Sequence, residues 1–410
     1  MHFTPVYQRC STSPAVARSL LTAVLCGLLL TVAPAGAGAQ GDNGRREVPV
    51  TALEVKGVGA PQVVKGTDGR RHVEYDLAIT NKFTVDVALT SLTVRRPRGG
   101  RLLRLDGEAL AGVTSTVLGS MPTATVEPAQ TVETVVDVVL RRGARVPARV
   151  AHRVDYAFPA DALFHQLIGS RHVDGPVLRV ERRRPIVVSP PLRGSGWMAI
   201  NACCEPSSHR SFVLSANGDL VTPEVFAIDF IREQGGVVAE GDGSQNSQWV
   251  GHGEPIFAAA GGRVVRAVND MPEIPPGLPV SENQTLSTAN SLGGNGVLIR
   301  MRRGVYALYG HMVTGSVRVR RGDRVETGQR LGLLGNSGNT SAPHLHFGLI
   351  DGHGRGGLLS SNSLPFVIDR FSYGGQAEPS TTGPEVTITG TPRPVRNAHP
   401  LANSVANFSP

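Results

Sequence analysis

The chain has 410 residues, of which 40% are hydrophobic, 18% charged and 5% aromatic, with a formal charge of +8. That is enough apolar material for two or three cores, which excludes wholesale disorder. The basic excess is almost all arginine and carries no RRM, zinc-finger or basic-helix pattern, so no nucleic-acid partner is expected. The 49 glycines and 29 prolines favour short strands and turns over long helices.

At the N-terminus a basic Arg18 precedes an apolar run, Leu20–Leu30, and then small residues, Ala35-Gly36-Ala37-Gly38-Ala39. This is the layout of a secretory signal peptide, assigned to residues 1–39. The run is too short and too early for a spanning helix, so the mature chain is expected to be exported, to the periplasm or beyond, without a membrane span. Cys10 and Cys26 leave with the peptide, and the mature chain keeps only the adjacent Cys203 and Cys204. Two cysteines make no disulfide framework. A vicinal disulfide, or buried reduced thiols, are the two readings open.

Residues 48–185 read as all-β. Val73-Glu74-Tyr75-Asp76-Leu77-Ala78-Ile79 alternates apolar and polar residues, the period-two pattern of a half-buried strand. Val132, Thr134, Val136, Val138 and Leu140 line one face of another. Further β-rich runs near Thr90–Arg95, Val154–Phe158 and Val177–Glu181, separated by glycine turns, predict an immunoglobulin-like sandwich. His72, His152, His165 and His172 share no metal-ligand spacing and read as ordinary surface or core histidines. Residues 186–196 read as a linker, 197–373 as a second β-rich domain, and 374–410 as a poorly ordered or extended tail. Met271–Gly294, rich in Pro, Ser, Thr and Asn, reads as either a groove wall or a mobile surface loop.

Chemistry concentrates in the second domain. His344 and His346 flank Leu345 on a short strand after a glycine-rich turn, so the two imidazoles share a face while Leu345 and Phe347 turn to the core. Side-by-side imidazoles pack poorly but suit metal chemistry. His311 ends another strand-like run, Val305–Gly310. Asp229 sits alone in an apolar strand, Phe226–Phe230, and a buried carboxylate needs a cation, an arginine or a metal. His209 precedes it by 20 positions. A hairpin turn at Asn217-Gly218 pairs Ala216 with Asp219, and carried to its end it would pair His209 with Phe226, with a bulge at Pro223-Glu224 absorbing the offset to Asp229.

Gly335-Asn336-Ser337-Gly338-Asn339-Thr340-Ser341-Ala342-Pro343-His344-Leu345-His346-Phe347, together with Tyr309-Gly310-His311, Gly322-Asp323-Arg324-Val325 and Pro255–Val265, resembles the lysostaphin/LytM-type zinc metallopeptidases. The resemblance runs over Trp197–Phe371 with gaps and is dense over Gly251–Phe347. It implies an antiparallel-sheet peptidase domain, which with the N-terminal sandwich read above makes a mostly β fold. It implies zinc held by His209, Asp229 and His346, with His311 and His344 as the non-ligand catalytic histidines. It also implies an endopeptidase acting on the peptides of bacterial cell-wall peptidoglycan. One departure matters: the family's common pattern is His-x-x-x-Asp, whereas Val225 stands four positions before Asp229 and Phe226-Ala227-Ile228 holds no histidine either. Either a hairpin is inserted between the ligands or the first ligand is lost, with His252 the runner-up. The competing functions are a catalytically silent wall-binding or hydrolase-regulating relative, a zinc protease of secreted proteins, and a sandwich-type adhesin. The sequence is silent on oligomeric state.

Overall fold

A computed structural model describes residues 48–117, 121–288, 291–352, 358–381 and 383–409. The expected signal peptide lies outside the described residues. The fold is mostly β, and among the described residues the α-helical content is the single short helix Gly107–Ala111. No helix among them is long and apolar enough to cross a membrane.

Two sheets form the N-terminal half. One runs Leu53–Lys65, Arg71–Asn81, Thr131–Leu140, Thr114–Thr116; the other runs Leu178–Arg179, Arg149–Ala157, Val87–Arg95, Arg101–Asp106. Val73, Leu77 and Ile79 from the first meet Leu92, Val94 and Val154 from the second in one core. The strand Arg71–Asn81 departs from its expected half-burial: its second face, carrying His72, Glu74, Asp76 and Ala78, is buried too. The covering comes from far along the chain, where residues 203–213 lie against this face: Val213 packs on Val58 and Ala78, and Arg210 meets Glu74 and Asp76.

The second half is built on a 12-stranded sheet. Its central order is Ser404–Phe408, Gly194–Ile200, Ile228–Arg232, Leu345–Ile350, Val305–Met312, Asn295–Arg302, Gly262–Val268. Trp197, Phe230, Tyr309 and Phe347 fill its core. The expected linker is corrected here, because Ile186–Val188 pairs in parallel with Phe366–Ile368 and the next strand starts at Gly194. The expected tail is corrected as well. Phe366–Pro379 runs through position 374, and Ser404–Phe408 inserts between it and Gly194–Ile200. Val405, Ala406 and Phe408 are buried there, so a few apolar side chains and ladder bonds order a stretch whose composition reads as coil.

The Asn217-Gly218 hairpin forms with Ala216 opposite Asp219, but it is only three pairs long, Leu214–Ala216 with Asp219–Val221. His209 therefore does not pair with Phe226; it sits in a turn in which the Arg210 and Ser211 amides donate to the Ser207 carbonyl. Met271–Gly294 is tied to the glycine-rich turn by Ile274 N–H to Asn336 O (2.9 Å) and Gly277 N–H to Ser341 O (2.8 Å). Asn283 Nδ2 donates to Gly338 O at 2.7 Å. Its described residues form a groove wall.

Candidate metal centre

Three neighbouring strands set the site. Asp229 is opposite His346 across one ladder, and His346 is opposite Gly310 across the next, which places His311 at the end of the third strand. His344 stands just before its strand, its amide bonded to Gly335 O. His209 arrives from the turn. All five residues named from the sequence come together, each 5–7% exposed.

Asp229 is the hub. Its Oδ1 meets His346 Nδ1 at 2.9 Å and His344 Nε2 at 3.3 Å; its Oδ2 meets His209 Nε2 at 3.1 Å and accepts from Asn201 Nδ2 at 2.8 Å. Its ion-pair partners are thus histidines and not the arginine weighed as the alternative. The ligand atoms of His209, Asp229 and His346 lie within 4.8 Å of one another. Four tetrahedral ligands about 2.0–2.1 Å from zinc stand roughly 3.3 Å apart, close to the spacing of Asp229 from His209. Two imidazoles, one carboxylate and a buried negative charge suit a divalent cation. His311, His344 and His346 form a second overlapping group. His252 lies elsewhere, its Nε2 3.0 Å from Glu273 Oε1.

Backbone carbonyls orient the rings. His209 Nδ1 is 3.3 Å from Ala227 O, His311 Nδ1 2.7 Å from Ser337 O, and His344 Nδ1 2.8 Å from Ala342 O. The network thereby places a proton on Nδ1 of each ring; Nε2 of His209 and His344 faces Asp229, and Nε2 of His311 is left for the cleft. His311 holds a left-handed backbone, φ 61°, which L-residues seldom adopt. Hydrogen bonds from its own amide to Gly293 O and to its carbonyl from Gly335 N–H keep it there.

The charges are strongly coupled. Burial would lift the Asp229 carboxyl, but the His209 and His344 imidazoles outweigh it and hold it well below the carboxylate range. Burial pulls His209 down, yet Asp229 beside it raises it to about 9. His344 is raised against its burial by the same carboxylate. His311 is pushed well below the imidazole range, first by burial and then by His344 and His346.

The site opens into a cleft of about 300 Å³ whose walls include Phe212, Leu278, Val280, Leu292 and Leu359. Leu278, Val280 and Leu292 belong to the 271–294 segment. Asn201 was not foreseen; it carries no motif, and its place is set by Ile200 pairing with Asp229 across a ladder. Thr340, 3.2 Å from His344 Nδ1, lay in plain view within the glycine-rich signature.

The model of peptidase family M23 matches residues 249–355. That stretch is an M23 peptidase domain. The match takes in His311, His344 and His346, whereas His209 and Asp229 precede it. Solved structures similar to this chain include the catalytic domain of the prophage-encoded M23 protein EnpA from Enterococcus faecalis, 19% identical, with 42% of this chain and 88% of that one covered and a TM-score of 0.24. The catalytic domain of the antimicrobial peptidase lysostaphin from Staphylococcus simulans is 20% identical, covering 42% of this chain and 88% of that one at a TM-score of 0.22. The deep-sea M23 metalloprotease pseudoalterin is 17% identical, covering 53% and 98% at a TM-score of 0.25. No curated protein matches the sequence. Around the M23 domain, the ladders at Ile228–Arg232 and Gly194–Ile200 extend the same sheet beyond the matched residues.

Proposed function

We propose that this chain is an exported zinc metalloendopeptidase that hydrolyses peptide bonds in bacterial cell-wall peptidoglycan. An N-terminal immunoglobulin-like sandwich would precede its peptidase unit. The observation that carries the reading is the donor set of His209, Asp229 and His346 around one point in the cleft, with His311 and His344 beside it. Those three residues would hold the metal. Bound there, zinc supplies Lewis acidity, polarising a peptide carbonyl and bringing the pKa of water towards neutrality.

The remaining work belongs to the chain. Ala227 O fixes the His209 ring so that Nε2 faces Asp229, and Asn201 donates to the same carboxylate oxygen, Oδ2. His311 and His344, anchored through Nδ1 at the wall of the cleft, divide two tasks between them: taking a proton from the attacking water and supporting the developing oxyanion. Val280, Leu278 and Leu292 line the cleft as an apolar wall beside the five site residues. The basic charge suits an anionic wall.

The test is zinc content measured beside hydrolysis of purified sacculi and of a panel of secreted proteins, for the native chain and for His209→Ala and His346→Ala. One zinc per chain, lost with wall hydrolysis in both variants, is expected. Cleavage of the protein panel but not the sacculi would replace the substrate, and a native chain without zinc or hydrolysis would leave a binding module.

A further inference from the structure

His209 reaches the site from a turn, without a ladder of its own to hold it. What fixes that turn is the next residue. Arg210 is fully buried and points away from His209, into the outer face of the N-terminal sheet. Its Nη1 donates to Glu74 Oε2 at 2.8 Å, and its Nη2 to Asp76 Oδ1 at 2.5 Å and to Tyr75 O at 3.4 Å. Glu74 and Asp76 are two apart on one strand and so share a face, presenting two carboxylates to the planar fork of a guanidinium. Asp137, opposite Glu74 on the same face of the neighbouring strand, adds to the negative field around it. One peptide unit thus joins a residue locked into the N-terminal sheet to a residue touching Asp229.

We propose that Arg210, gripped by Glu74 and Asp76, is a positioning residue: the N-terminal sheet holds His209 at the metal centre, so the metal site is completed by both halves of the chain. The proposal rests on His209 being a metal ligand, as argued above. Physically it answers the departure from His-x-x-x-Asp. A histidine a few residues from Asp229 is positioned by the strand they share, whereas a distant one on a turn needs an external anchor. The buried fork supplies it, because guanidinium and carboxylates in that geometry allow little rotation or translation. Val213 on Val58 and Ala78 closes the other end of the segment. The N-terminal half is accordingly part of the catalytic unit and not an appendage to it.

The test measures zinc affinity by chelator competition, and the visible spectrum of the cobalt(II)-substituted form, on the full chain. The main variant is Glu74→Gln/Asp76→Asn/Arg210→Met, which removes the guanidinium and the two carboxylates it grips together. Zinc affinity is expected to fall about 10–100-fold, the range for residues that orient a ligand. The cobalt spectrum should change while the metal-free melting temperature holds. Arg210→Lys, which keeps the charge but loses the fork, should fall between this variant and the native chain; it carries both readouts alone should the triple variant not fold. A folded variant with native zinc affinity and an unchanged cobalt spectrum would overturn the proposal. His209→Ala separates the two levels. If it loses zinc while the Arg210 variants do not, only the anchor is wrong; if it keeps zinc, the ligand assignment falls and the anchor with it.

Discussion

Glu133 offers a sharp test of how the N-terminal sheet accommodates its buried acids. It is 2% exposed and neither carboxylate oxygen has a hydrogen-bond partner among the described residues. Burial, reinforced by Asp76 and opposed by Arg210, raises its pKa from 4.5 to about 9. The folded state therefore holds this proton more tightly than the unfolded chain does. Its contribution is fully present below pH 4.5 and is lost as pH rises towards about 9. Each pH unit inside that window costs about 1.4 kcal/mol, so moving from pH 6 to pH 8 removes roughly 2–3 kcal/mol. Glu74 and Asp76, raised by the same burial, act in the same direction. Glu133→Gln should abolish its share of the slope, so that the variant's advantage in melting temperature over the native chain grows by about 5–10 °C between pH 6 and pH 8 at roughly 3 °C per kcal/mol. The assay is a series of thermal melts from pH 5 to pH 9 on metal-free native and variant chains. Parallel pH profiles for the two proteins would refute the reasoning, since they would mean that Glu133 titrates alike folded and unfolded.

Further outcomes follow from the site. A chelator should abolish hydrolysis and added zinc restore it, whereas His311→Ala should keep its zinc and lose about 10²–10⁴ in rate, read by metal content beside turnover. Gly338 has φ +87°, and a Cβ there would lie 2.4 Å from Gly294 N. Gly338→Ala should displace the Ser337 carbonyl that holds His311, lowering kcat by on the order of 100-fold with zinc retained. Phe347 is fully buried with its ring centroid 5.2 Å from both Tyr309 and Phe366. Phe347→Ala should cost about 3–5 kcal/mol by denaturant titration and loosen the adjacent His346.

Much of the site was legible because its signals are local. His344 and His346 share a face by strand geometry alone, and the glycines around them mark a turn that only a few residues can make. Asp229 stood out as a lone carboxylate in an apolar strand, and its need for a cation is met in the fold by imidazoles. The Asn217-Gly218 turn was equally readable, since I′-type turns depend on those two residues. The length of that hairpin was not, because nothing in Ser207–Val213 says where pairing stops.

The sequence by itself determined the β character, the histidine pair, the lysostaphin/LytM-type resemblance and the residues worth naming. These follow from period-two patterning and turn chemistry, which act over a few residues. Tertiary structure decided what depends on distant partners. It ordered the C-terminal stretch by pairing Ser404–Phe408 with Gly194–Ile200 across some 200 positions. It buried the second face of Arg71–Asn81 under residues 203–213, turning an alternating strand into a two-sided one. It also brought Arg210 to Glu74 and Asp76, 136 and 134 positions away. A buried charge reveals its partner only once the chain is folded, because Coulomb attraction in a low-dielectric interior depends on distance in space and not along the sequence.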